Sequence, residues 1–256
     1  MKKTIIALFA CVGLASAADL TTLVTMDELV ASAVTSTATL VEDMSVTTYQ
    51  FGEGTYIGGI TNANLNSALA DSSQYITIAA WIKPTDTNGV ESIFGYGAQQ
   101  NGFKFCTNGA GLQYTAKGVA DKDTVNVGLT AGTWNLVGIS FKGGNDAANG
   151  AKYICGTSNG NFYTRNLGGF ATPGATEQTF AIGSGNSGDA RETFNGQIAG
   201  LTIFTSSSVI TGVNDITAHM GTTAPSLVVT PAVPEPTTAT LSLLALAGLA
   251  ARRRRK

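Results

Sequence analysis

Ile76-Thr77-Ile78-Ala79-Ala80-Trp81-Ile82, halted by Lys83-Pro84, is the stretch on which the fold turns. With Tyr75 ahead of it, this is an uncharged run rich in β-branched and aromatic side chains, and it reads as a strand. Proline has no N–H to give to a ladder, so pairing stops at Pro84. Strand alternation puts Ile76, Ile78, Ala80 and Ile82 on one face and Thr77, Ala79 and Trp81 on the other.

Similar short runs lie on either side, separated by turn residues. Val46 to Phe51 alternates as a strand, and Ser92 to Tyr96 forms another. Gly102 to Cys106 and Leu112 to Thr115 make a hairpin across Asn108-Gly109. Thr133 to Phe141 is a long strand that ends at the turn Gly143 to Asp146. Ala151 to Cys155 and Asn161 to Arg165 make a second hairpin across Ser158-Asn159-Gly160, and Phe180 to Gly183 and Gln197 to Phe204 close the series. This spacing argues for an all-β, antiparallel sandwich. Two short helices are expected at its margins, one starting at Asp27-Glu28-Leu29-Val30 and one over Val213 to Met220, ended by Gly221.

Both termini are built differently from this body. Lys2-Lys3, the apolar stretch Ile5 to Leu14 and Ala15-Ser16-Ala17 read as a secretory signal peptide over residues 1–17, removed by signal peptidase. Leu8-Phe9-Ala10-Cys11 offers a rival reading as a lipobox, with Cys11 acylated. The body is taken as residues 18–220, followed by a stiff Pro/Thr-rich linker at 221–232. Residues 233–256 hold Val233-Pro234-Glu235-Pro236, an apolar run from Ala239 to Ala251 and the basic end Arg252-Arg253-Arg254-Arg255-Lys256. As a short hydrophobic helix, Thr237 to Ala251 would reach about 22 Å, less than a bilayer core. That length suits transient membrane insertion rather than a permanent anchor.

The tail resembles the PEP-CTERM sorting signal of Gram-negative bacteria, which the membrane protease exosortase recognises and cuts. The resemblance implies export to the cell surface, outer envelope or extracellular matrix. The body resembles the concanavalin A-like, laminin-G (LamG-type) jelly roll in four places. Ile76 to Pro84 is similar to that family's early W-hydrophobic-K-P strand, and Gly132-Thr133-Trp134 through Phe141 to its G-T-W strand. Tyr153-Ile154-Cys155-Gly156 stands where the family has Y-V-D-G, and Phe194-Asn195-Gly196 through Phe204 resembles its closing strand. Cys155 replaces an aspartate and Ala199-Gly200 an acidic pair, so any role of those carboxylates is lost here.

Composition narrows the chemistry. Residues 18–220 hold eight Lys and Arg against sixteen Asp and Glu, a balance of −8, which disfavours nucleic acid as a partner. Glycoside hydrolysis on this fold usually needs a set of carboxylates alternating along one strand, as in E-x-D-x-x-E; no such triad is present, and the closest spacings, Asp121-x-Asp123 and Asp189-x-x-Glu192, sit in polar, turn-like stretches. A Ser–His–Asp or Cys–His centre would rest on the single histidine, His219. The expectation is therefore a non-catalytic protein that binds glycan or another surface protein, or a purely structural envelope protein. Candidate glycan contacts at strand ends are Tyr96, Tyr114, Phe162, Tyr163 and Arg165, while Trp81 and Trp134 are expected to pack between the sheets. The cofactor worth keeping is calcium, with Asp121, Asp123 and Asp189 as oxygen donors. Cys106 and Cys155 can either pair, closing a loop of about 50 residues worth roughly 3–4 kcal/mol, or stay separate as buried thiols.

Overall fold

The computed structural model describes residues 19–97, 102–117, 120–121, 125–144, 151–156, 162–167, 178–208, 210 and 212–228, with the backbone alone at 120–121, 125, 151–156 and 162–167. The signal peptide, Cys11, Asp123 and the sorting tail lie outside the described residues, as do the side chains of Asp121, Cys155, Phe162, Tyr163 and Arg165. Among the described residues no helix is long and apolar enough to cross a membrane.

The chain opens with β1 (Thr21–Thr25), α1 (Met26–Ala31), β2 (Thr35–Ser36), β3 (Thr39–Val41), β4 (Thr48–Phe51) and β5 (Ile57–Ile60). Next come α2 (Ala63–Ala70), β6 (Tyr75–Pro84), β7 (Val90–Tyr96), β8 (Phe103–Asn108), β9 (Gly111–Ala116), β10 (Ala120–Asp121) and β11 (Val125–Asn126). The series ends with β12 (Asn135–Lys142), β13 (Ala151–Gly156), β14 (Phe162–Leu167), β15 (Phe180–Ile182), β16 (Gly196–Ser206) and α3 (Val213–Met220). One sheet runs β14-β13-β12-β6-β16-β4-β3, with β1 also on β16. The other runs β10-β9-β8-β7-β15-β5-β2, with β11 also on β9. The named strands pair antiparallel, giving the expected jelly-roll β-sandwich.

Alternation explains which residues meet between the sheets. Ile76, Ile78, Ala80 and Ile82 of β6 and Val137, Ile139 and Phe141 of β12 face Phe94, Phe103, Phe105, Tyr114 and Phe180 of the opposite sheet. Phe141 meets Phe103 edge-on at 5.3 Å, and Tyr96 stacks on Phe180 at 4.8 Å. Such ring pairs each add about 0.5–1.5 kcal/mol beyond their burial. Two expected ligand contacts therefore need correction. Tyr96 is 2% exposed and Tyr114 0% exposed, because each shares a strand face with core residues and points between the sheets.

Trp81 also departs from expectation. It lies on the outer face of its sheet, where Ala79, Leu136, Ala199 and Phe204 form a second apolar layer. α3 covers that layer with Val213 and Ile216, and Trp134 packs at its margin. Gly138 makes the close approach possible: a Cβ there would lie 2.7 Å from the Cδ1 of Ile216. α2 has no counterpart in the sequence reading. It is capped by Asn62, whose side-chain oxygen accepts from the Leu65 N–H at 2.9 Å, and it buries Leu65, Ala68 and Leu69.

Candidate functional site

The outer edge of β16 forks. Its first half, Gly196 to Ala199, pairs with β4, and its second half, Thr202 to Thr205, pairs with β1. Gly200 sits between them at φ +57°, a left-handed conformation that glycine adopts without a steric penalty. The pairing of β16 with β6 is irregular over the same residues, as a bulge requires. The strands on the edge part here, and the space between them is a groove of about 490 Å³.

Thr25, Met26 and Asp27 form one wall of the groove, and Met44 to Thr47 another. Trp81, Gly200 and Thr202 line it from the sheet, and His219 and Met220 from the last turn of α3. Hydrogen bonds hold the walls in register. Thr47 donates its hydroxyl to Oδ1 of Asp27 at 2.7 Å, and the Gly200 N–H donates to the Thr47 carbonyl at 2.9 Å. The Thr25 N–H and hydroxyl both donate to Oε2 of Glu28, at 2.7 and 2.9 Å, which fixes the start of α1 and lowers the Glu28 pKa. The His219 ring lies 5.3 Å from that of Phe204, and the Trp81 indole N–H reaches toward the Met220 carbonyl at 3.5 Å. The Ser45 N–H donates to the Ser226 carbonyl at 2.8 Å.

A second polar region lies on the outer face of the other sheet, beneath a strap of residues 184–192. Ser184 organises the strap. Its hydroxyl donates to the Asp189 carbonyl at 2.7 Å and accepts from the N–H groups of Asn186 and Arg191 at 3.2 and 3.1 Å. Glu192 is held at φ +49° and pairs with Lys104 of β8. Lys117 donates to the carbonyls of Tyr96 and Gly97 at 3.0 and 2.8 Å. Burial, reinforced by the charge of Lys104, pulls its pKa from 10.5 down to about 8. At the edge of this face burial pushes Glu91 up to about 7, opposed by the N–H of Asn195 and helped by the charge of Asp86.

The remaining sequence candidates are scattered. Asp189 is exposed, and its Oδ1 accepts from the Asn186 amide at 2.8 Å. Among the described residues no three His, Cys, Asp or Glu side chains gather as a metal set. Phe162, Tyr163 and Arg165 lie on β14, an edge strand. Cys106 is on β8 of one sheet and Cys155 on β13 of the other. Cys106 alternates with the core residues Phe103 and Phe105, so its thiol is on the face turned away from β13, where it donates to the Gln113 carbonyl at 3.4 Å. A bridge between Cys106 and Cys155 has no support from this arrangement.

The family model described as the concanavalin A-like lectin/glucanases superfamily matches residues 58–208, from β5 through β16. The chain belongs to the concanavalin A-like lectin/glucanases superfamily. A second model, the PEP-CTERM protein-sorting motif, matches residues 232–256. No curated protein matches the sequence. Domain 4 of AbnA, a GH43 extracellular arabinanase from Geobacillus stearothermophilus solved with arabinotriose, is similar at 16% identity and a TM-score of 0.48, over 69% of this chain and 78% of that one. The CBM40 of the Ruminococcus gnavus IT-sialidase, solved with α2,3-sialyllactose, gives 16% identity and 0.48 over 66% and 93%. The receptor-binding domain of botulinum neurotoxin mosaic serotype C/D gives 14% and 0.48 over 72% and 44%, so the match spans less than half of that chain.

Asp27, Thr47 and Gly200, central to the groove, were not singled out as site residues from the sequence. The fork that assembles them depends on long-range pairing, and no local signal marks it. Gly200 carries the only trace, as a glycine inside a strand pattern.

Proposed function

We propose that this protein is an exported, non-catalytic binding module of the bacterial cell surface that seats a glycan in the forked groove. The observation that carries the reading is the groove. Its size falls in the roughly 300–1,000 Å³ range of small-ligand sites. Its lining offers the Asp27 carboxylate and the hydroxyls of Ser45, Thr47 and Thr202 to sugar hydroxyls, with the buried Trp81 beneath them. Membership of a superfamily that includes lectins is consistent with it. In this reading exosortase acts on Val233-Pro234-Glu235-Pro236 and the Arg252 to Arg255 end, signal peptidase removes residues 1–17, and the tail enters the membrane only in transit.

The test is a glycan array probed with protein recovered from its own cells, beside Asp27→Ala and Thr47→Val. Binding to a defined glycan, weakened at least tenfold in both variants, supports the reading. Silence across bacterial, plant and mucin-type glycans favours a structural envelope role. One observation favours a hydrolase instead: Glu91, with its pKa near 7, has the protonation range of a general acid. Polysaccharide turnover abolished by Glu91→Gln would establish that reading and overturn this one.

A further inference from the structure

The turn that leads into β7 carries chemistry of its own. The chain has six Asn-Gly pairs, and three of them, Asn88-Gly89, Asn108-Gly109 and Asn195-Gly196, lie wholly within the described residues. Such a pair is prone to rearrange, because the glycine nitrogen has no side chain beside it and is free to reach the asparagine carboxamide carbon. The fold treats the three pairs differently. At Asn108-Gly109 both reacting groups are engaged: the Asn108 side-chain amide donates to Oε1 of Gln113 at 3.2 Å, and the Gly109 N–H donates to the Gly89 carbonyl at 3.0 Å. At Asn195-Gly196 the glycine is buried at the head of β16, paired with Phe51 on one side and Pro84 on the other. At Asn88-Gly89 both residues are exposed. Asn88 is held through its backbone N–H, which donates to Oδ1 of Asp86 at 2.8 Å. Gly89 sits at φ +74° with nothing within 4 Å of the place a Cβ would take. Among the described residues, neither the Asn88 carboxamide nor the Gly89 N–H has a hydrogen-bond partner.

The rearrangement needs only water. The Gly89 nitrogen gives its proton to solvent and attacks the Asn88 carboxamide carbon; the bond from that carbon to the side-chain nitrogen breaks, ammonia leaves, and a succinimide ring closes. Water then opens the ring at either carbonyl and leaves aspartate or isoaspartate at position 88. We propose that Asn88 is a self-modifying site, whose deamidation adds a carboxylate to the corner that already holds Asp86 and Glu91. The corner joins the two sheets: Oε2 of Glu91, on β7, accepts from the Asn195 N–H at 3.2 Å, just ahead of β16. The charge of Asp86 already helps the folded chain keep the Glu91 proton, and a new carboxylate beside Asp86 acts in the same sense. The site is independent of the glycan reading and stands whether or not a sugar binds in the groove.

The experiment incubates the full chain in mildly alkaline buffer and samples it over days. Peptides spanning each pair are followed by mass spectrometry, with fragmentation that separates aspartate from isoaspartate. In the folded protein Asn88 should convert about tenfold faster than Asn108 or Asn195, because those two sites must break hydrogen bonds or open locally before they react. In urea, where no fold shields any site, the three rates should converge. A second measurement does not depend on rates. Asn88→Asp should extend to higher pH the fall in stability that ends when the folded chain releases the Glu91 proton. Equal rates at Asn88 and Asn108 in the folded protein, a rate difference as large in urea as in buffer, or an unmoved pH–stability curve in Asn88→Asp would overturn the proposal.

Discussion

The seat of α3 on the sheet offers the sharpest mutational test. An eight-residue helix has no stability of its own in water, so α3 persists because Val213 and Ile216 are buried on the outer layer. Ile216 is 0% exposed, and the sheet beneath it is Gly138, which has no side chain to fill a vacancy. Ile216→Ala should therefore cost toward the upper end of the usual range, about 3–5 kcal/mol. Gly138→Ala perturbs the same contact in the opposite sense. Its Cβ would lie 2.7 Å from Cδ1 of Ile216 and 3.3 Å from the Ile78 carbonyl oxygen, overpacking that should cost about 1–3 kcal/mol. Combined, the alanine at 138 occupies part of the space vacated at 216. The pair should be more stable than the sum of the singles implies, by about 0.5–3 kcal/mol. Urea unfolding followed by tryptophan fluorescence and far-UV circular dichroism measures all four proteins. Strict additivity, or an Ile216→Ala protein as stable as the parent, would show that α3 does not rest on Gly138.

Gly95→Ala should dislodge the strap, because its Cβ would lie 2.4 Å from the Ser184 carbonyl oxygen and 2.9 Å from Gly185, both backbone; faster proteolysis within 184–192 is the readout. Stability should fall from about pH 4.5 to about 7, since the folded chain keeps the Glu91 proton that the unfolded chain releases. It should rise again from about pH 8 to 10.5, where the folded chain gives up the Lys117 proton first. Denaturation midpoints across that range should lose the lower slope in Glu91→Gln and the upper one in Lys117→Met. Phe103→Ala removes a ring in contact with Phe94, Tyr96, Tyr114 and Phe141 and should cost about 3–5 kcal/mol in the same urea assay.

The strands were legible wherever a local rule governs them. The β6 pattern ending at Pro84, the β8–β9 hairpin over Gly109 and the α3 span ending at Gly221 are all set by residues adjacent in sequence. The same alternation also contained the correct placement of Tyr114, which is in phase with Leu112 and Ala116. What was not legible depends on distant contacts. Trp81 was placed on the face opposite Ile78 and Ala80, but a lone strand cannot show whether that face meets the other sheet or a helix 130 residues later. The groove was hidden for the same reason, since β1 and β4 share β16 only after the sheet has closed.

The most direct measurement of the central claim is hydrogen exchange on the protein with and without the strongest glycan found on the array. Slowed exchange should be concentrated in residues 25–27, 44–47, 200–202 and 219–220, the walls of the forked groove. Protection centred on the strap at 184–192, or spread along β14, would place the ligand elsewhere and contradict the assignment.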